Sequence, residues 1–247
     1  MLKLQNISKS FGGVQAVKNC SFEIEKNSIT ALVGPNGAGK TTVFNLVSGF
    51  SNPDKGDIFF ENKKLNHLPI WKRSRLGISR TFQLSRMFRN LSIEDNLLIA
   101  LREDDDKFLK MFLRDVEGDK QEKNRIYEIM DFVGLKKDPK TIVTDLSYGQ
   151  QKLFDLSRAL LNSHEFLMLD EPVAGVNPIL RDTFKKLLKE LKAKGETILL
   201  IEHDMDFVRH VADTVIVMDQ GSVLAEGDPE YIFSDKKVLE AYLGTTV

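Results

Sequence analysis

The sequence predicts an α/β domain built on a largely parallel sheet. Short β-rich runs alternate with helical runs for most of the 247 residues, four of those runs are almost wholly apolar, and one of them passes through a glycine-rich loop straight into a helix. Leu2 to Ile7, Ala16 to Glu25 and Asp57 to Glu61 alternate polar with apolar residues, as strands with one exposed face do. Ile29 to Val33, Phe166 to Leu169, Thr197 to Ile201 and Thr214 to Met218 are nearly continuous apolar runs. Such runs suit strands buried on both faces, so these four should form the central sheet. Helices are expected at Lys40 to Ser48, at Pro178 to Lys194 with proline in its first turn, and at Asp204 to Val211. The middle third differs. From about Leu84 to Asp145 no strand is evident, while Ser92 to Leu101 and Gln121 to Phe132 have helical spacing of apolar residues. This reads as a helical insert in the α/β core, and its acidic run Glu103 to Asp106 as a solvated loop or helix end.

Composition removes several functional classes. With 35 Lys+Arg against 36 Asp+Glu the chain has no basic excess of the kind a nucleic-acid binder carries. A 42% hydrophobic fraction argues against disorder. Cys20, the single cysteine, forms no internal disulfide, so a reducing cytoplasm is the expected setting. Mean hydropathy is −0.22, and the densest apolar stretches, Asn96 to Leu101 and Ile198 to Ile201, fall far short of the ~20 residues of a membrane span. Met1 to Ser10 alternates like a strand and has no apolar core of a signal peptide.

The strongest motif is Gly34-Pro35-Asn36-Gly37-Ala38-Gly39-Lys40-Thr41-Thr42, a G-x-x-x-x-G-K-[ST] loop between an apolar strand and a helix. Glycines let such a loop turn its backbone N–H groups toward phosphate oxygens, and the helix adds unpaired N-terminal donors. Lys40 supplies a mobile charge for the β and γ phosphates, and the Thr41 hydroxyl a ligand for Mg²⁺. Downstream, the run Phe166 to Leu169 ends in Asp170 and Glu171. Ligands of parallel α/β sheets gather at the carboxyl ends of strands. There Asp170 suits Mg²⁺, and Glu171 suits polarising the water that attacks the γ-phosphate. A GTPase would need N-K-x-D, and Asn62-Lys63-Lys64-Leu65 lacks the aspartate.

Leu146-Ser147-Tyr148-Gly149-Gln150 opens a helix running to about Asn162, between the phosphate loop and the Asp170 strand. Here the sequence resembles the ATP-binding cassette (ABC) ATPases, whose signature LSGGQ stands in the same place. The resemblance implies a P-loop NTPase fold of ABC type: a mixed sheet core with an antiparallel β subdomain and an inserted α-helical subdomain. Residues 1–247 would form one ABC ATPase domain, with 1–83 and 164–247 as the catalytic core and about 84–163 as the helical part carrying the signature loop. It further implies that Gln83 senses metal and attacking water, that His203 contacts the γ-phosphate, that Phe11 stacks on adenine, and that Ala174 to Asn177 is the D-loop. Ser147, Gly149 and Gln150 would meet the ATP of a second subunit, so that two subunits sandwich two nucleotides head to tail.

Within the family, Leu146 to Gln151, Glu171 to Pro178, Gly77 to Gln83 and Ala241 to Gly244 resemble the LivG-type ATPases of branched-chain amino-acid importers. That likeness implies a motor on the cytoplasmic side of the plasma membrane, two transmembrane permeases, and a binding protein as an indirect partner. A membrane-subunit helix would rest in a groove lined by Leu84 to Asn96, Met87, Phe88 and Leu91 included. ATPases of urea import and of lipopolysaccharide export are the alternatives, and a soluble ABC ATPase a more distant one. Two departures stand out: Tyr148 replaces the first glycine of the general signature, and Asn177 the D-loop aspartate.

Overall fold

The computed structural model describes residues 1–81, 87–102 and 116–243. Two sheets organise it. An antiparallel sheet joins β1 (Leu2–Phe11), β2 (Val14–Ile24), β4 (Lys55–Phe60) and β5 (Lys63–Lys64) in the order β2-β1-β4-β5. The second runs β10-β9-β3-β8-β7-β6, built from β3 (Ile29–Val33), β6 (Ile78–Arg80), β7 (Phe166–Asp170), β8 (Thr197–Ile201), β9 (Thr214–Asp219) and β10 (Ser222–Gly227). All of its pairings are parallel except β10 on β9. The four continuous apolar runs are its inner strands, as the sequence predicts.

Alternation along those strands sends side chains to two different cores. Ile29, Ala31, Val33, Leu167, Leu169, Ile198, Leu200, Val215 and Val217 pack with the helical insert and the later helices, whereas Leu32, Phe166, Met168, Leu199, Ile201, Ile216 and Met218 pack with the antiparallel sheet. Each fully buried aliphatic side chain contributes roughly 1.5–3 kcal/mol, so both faces of the sheet are driven to be covered.

The helices are α1 (Lys40–Ser48), α2 (Ile70–Arg75), α3 (Ile93–Arg102), α4 (Val116–Val133), α5 (Tyr148–Leu161), α6 (Pro178–Ala193), α7 (Met205–Val211), α8 (Pro229–Ile232) and α9 (Lys236–Leu243). Asn177 caps α6, its Oδ1 accepting from Leu180 N at 2.9 Å, with Pro178 next in the chain. Helices α3, α4 and α5 form one layer whose apolar faces join the first core. Strands β5, β6 and β10 and helices α2, α8 and α9 carry no strong sequence signal. β6 has three residues and β10 is an edge strand with weak alternation, so their pairing is decided by the strands already in place.

Candidate functional site

Strand register fixes which loops meet. Leu32 and Asp170 both pair with Ile201, and Val33 with Val217. The chain therefore leaves β3 at Gly34, β7 at Glu171 and β8 at Glu202 at one edge of the sheet. The loop after β3 wraps into α1 through Gly39, which caps the helix at φ 101°, a left-handed conformation that a Cβ opposes. Gly34 is needed for space, since a Cβ there would fall 2.1 Å from the Met218 carbonyl oxygen. The turn after β9 supports the loop from outside, with Gly221 N donating to Ala38 O at 3.1 Å. Pro35, Asn36 and Gly37 span the rest of the loop, Thr41 and Thr42 the first turn of α1.

Lys40 lies 94% buried in this cradle, its Nζ donating to Gly34 O at 2.7 Å and Pro35 O at 2.9 Å. Burial pushes its pKa below the ordinary lysine value, and Glu171 and Asp170 pull it back up. Asp170 is also buried, and Arg80 Nη2 meets its Oδ2 at 3.1 Å. Burial raises the Asp170 pKa and lowers that of Arg80, and each opposes the other's shift. Arg80 is held in turn by Asn45 Oδ1 and Ser48 Oγ, both at 2.8 Å, and by the Phe44 ring. Glu171 turns out of the strand at φ 49°, which sends it to the open edge beside Asp170. Its Oε1 lies 3.2 Å from His203 Nε2. Behind the histidine, buried Glu202 accepts from Val173 N at 2.9 Å and His203 N at 3.1 Å, tying the loop after β7 to the loop after β8. Burial raises its pKa against those hydrogen bonds.

The structure thus brings Lys40, Asp170, Glu171 and His203 to one edge. Phe11 ends β1, half exposed, with Lys9 Nζ 5.4 Å from its ring centre. Gln83 lies outside the described residues. Ser147 N-caps α5 in a reciprocal capping box: its Oγ accepts from Gln150 N at 3.4 Å while Gln150 Oε1 accepts from Ser147 N at 3.0 Å. The Gln150 side chain is therefore occupied within its own helix, and Gly149 sits in the same first turn. That turn, Gly175, Asn177, Ile179 and Leu180 border an outward-facing cavity of about 470 Å³. Arg80, Lys152 and Glu202 also carry the site's geometry without belonging to a nucleotide-binding pattern. The sequence offers one hint of them, a glutamate directly after the apolar run of β8.

A second cavity, about 220 Å³, opens between the core and the insert and is bordered by Phe50, Ile70, Arg73, Arg80, Asp155 and Arg158. Of the residues expected to line a groove here, Phe88 is 52% exposed and Met87 packs partly buried on the first core. Neither borders this cavity, whose walls come from α2, β6, α3, α5 and the end of α1.

Residues 17–174 match the family described as ABC transporter. The chain is 39% identical to a probable branched-chain amino acid transport ATP-binding protein LivG of Archaeoglobus fulgidus, covering 99% of this chain and 95% of that one. It is 37% identical to the high-affinity branched-chain amino acid transport ATP-binding protein LivG of Escherichia coli K12, over 99% and 98%. Among solved structures, the ADP conformation of an ATP-binding cassette of an ABC transporter superposes with a TM-score of 0.86 at 33% identity, covering 99% of this chain and 98% of that one. With a family match over most of its length, relatives aligned nearly end to end and the same fold, the chain belongs to the ABC transporter family.

Proposed function

We propose that this chain is the ATP-hydrolysing motor subunit of an ABC importer whose cargo is a branched-chain or other amino acid. The observation that carries the catalytic part is the meeting of buried Lys40, Asp170 and the Glu171–His203 pair at the carboxyl edge of a parallel sheet. The names of the near full-length relatives support the cargo. Lys40 exchanges its loop carbonyls for β and γ phosphate oxygens, and the backbone N–H groups of the loop from Gly34 to Thr42 hold the rest of the triphosphate. Phe11 carries the adenine. Glu171 orients the attacking water, and His203, whose Nε2 lies 3.2 Å from its carboxylate, bridges to the γ-phosphate. Catalysis is positioning and charge stabilisation of an in-line displacement.

The donor set fits Mg²⁺, a hard cation that keeps several waters and takes few protein oxygens beside the phosphates. The Thr41 hydroxyl and Asp170, with Gln83, would hold it, and the ion would neutralise charge developing on the transferred phosphoryl group. Asp170 keeps its Arg80 partner on Oδ2.

Ser147, Gly149 and Gln150 face outward with the D-loop, which suits them to the nucleotide of a second ATPase subunit in a head-to-tail dimer. Residues 84–163 act as the helical part that carries this loop, and 1–83 with 164–247 as the catalytic core. Two permeases dock at the cavity between these parts, and through them the chain serves a binding protein on the far side of the plasma membrane. The likeness to ATP-binding subunits of transporters supports peripheral attachment on the cytoplasmic side, and among the described residues no helix is long and apolar enough to cross a membrane.

The test is Glu171→Gln, assayed for Mg-ATP binding and turnover. Binding persists and turnover falls by about 100-fold or more. Near-normal hydrolysis in that variant refutes the assignment.

A further inference from the structure

The start of α5 and the loop after β7 hold each other. Lys152 Nζ donates to the Glu171 carbonyl oxygen at 2.7 Å. One turn earlier, the Tyr148 ring lies 5.6 Å from the same ammonium. The edge of that ring packs on Gly175 so closely that a Cβ at 175 would fall 3.1 Å from Tyr148 Cε1. Two helix positions four residues apart thus grip two loop positions four residues apart.

The gripped loop begins at a residue that needs holding. Glu171 has a left-handed backbone, φ 49°, which a residue with a Cβ keeps only where its surroundings over-determine it. Its N–H donates to Ile201 O at 3.0 Å, and its carbonyl receives Lys152. Both peptide groups flanking the carboxylate are therefore tied, one to the sheet and the other to the signature helix. A glycine at 148 would present no ring to Gly175 and no aromatic face to Lys152.

We propose that Tyr148 and Lys152 form a clasp that positions Glu171 and makes its placement depend on how the signature loop is seated. The proposal rests on the nucleotide reading above, in which the signature loop serves a second subunit's ATP while Glu171 serves its own chain's. Seating α5 on the neighbour's phosphate then reports, through Lys152, to the carboxylate of the other site. Both are positioning residues, and the clasp gives the departure at Tyr148 a physical role.

The experiment measures ATP hydrolysis and fluorescent-ATP binding on the full-length chain with Mg²⁺. Lys152→Met keeps the stem and removes the donor. It lowers kcat by about tenfold or more while KM and ATP affinity stay within about threefold. Lys152→Arg, which still donates, recovers about a third of the lost rate or more. Tyr148→Gly lowers kcat by about threefold and leaves binding intact; it carries the same test if Lys152→Met melts early. A Lys152→Met rate within about twofold of wild type overturns the clasp, as does a parallel loss of ATP affinity or equal loss in Met and Arg variants. Glu171→Gln in the same assay separates the two readings. If it abolishes wild-type turnover while Lys152→Met is inert, the clasp alone fails; if the wild type neither binds nor hydrolyses ATP, both fail.

Discussion

At the scale of single residues, buried charge sets what the site can do. The Arg80–Asp170 pair sits in a low-dielectric layer where desolvation opposes both ions, and it persists because Asn45, Ser48 and Phe44 complete the arginine's surroundings. Asp155 is less well supplied. Burial pushes its pKa up to about 7, with Arg158 and Lys152 opposing. A carboxyl with a raised folded-state pKa costs no stability in acid, begins to cost as pH rises past its unfolded value of 3.8, and costs the full amount above about 7. Asp155→Asn therefore leaves stability unchanged near pH 4 and raises it by roughly 1–2 kcal/mol at pH 8, read by urea unfolding at the two pH values. Sequence legibility is uneven at this scale. Lys40, Asp170 and Glu171 were readable because phosphate chemistry favours those types after particular strands, and His203 only through the resemblance to the ABC ATPases. Arg80, Lys152 and Glu202 were not, because their partners lie 90, 19 and 29 residues away and only the folded register brings them together.

Among elements, the helical layer is pinned by a polar knot as well as by its apolar face. Glu94 on α3 is 1% exposed and receives Tyr127 Oη at 2.5 Å, Lys140 Nζ at 3.0 Å and Lys123 Nζ at 3.2 Å, from α4 and the segment after it. Burial alone would raise the Glu94 pKa, but these hydrogen bonds outweigh it and hold the carboxyl down at about 2. A depressed folded-state pKa stabilises fully above the unfolded value of 4.5, and the gain is lost as pH falls from there toward about 2. Glu94→Gln costs about 2 kcal/mol at pH 7, and its deficit against wild type shrinks on acidification below pH 4.5, by chemical denaturation across that window. The sequence located α3 and much of α4 because apolar spacing of 3 to 4 residues survives in both. It gave no warning that a charged side chain would be their joint, since Glu94 reads there as an ordinary first-turn acid.

For the whole molecule, the four inner strands and the helical insert were legible because both follow from apolar periodicity. The edge strands β6 and β10 and the short helices α2, α8 and α9 follow from tertiary context instead. One of these, α2, matters for assembly. It presents Ile70, 42% exposed, at the rim of the cavity between core and insert, and next to it in the chain Trp71, 54% exposed. If permeases dock there, Ile70→Ser with Trp71→Ser reduces co-purification of the chain with its membrane subunits by about tenfold and leaves ATP binding unchanged, measured on detergent-extracted complexes. The antiparallel sheet and the helices cover opposite faces of the parallel sheet, so the edge that carries Lys40, Asp170 and Glu171 is left between them. On that edge, the left-handed φ of Glu171 places a carboxylate where the chain itself favours glycine or asparagine. The molecule holds a conformational penalty of about 1 kcal/mol or more there. A screen that ranked positions by thermal tolerance would relax this residue early, and with Glu171 in the proposed role turnover would go with it, so a trade-off between durability and activity would sit in one backbone angle.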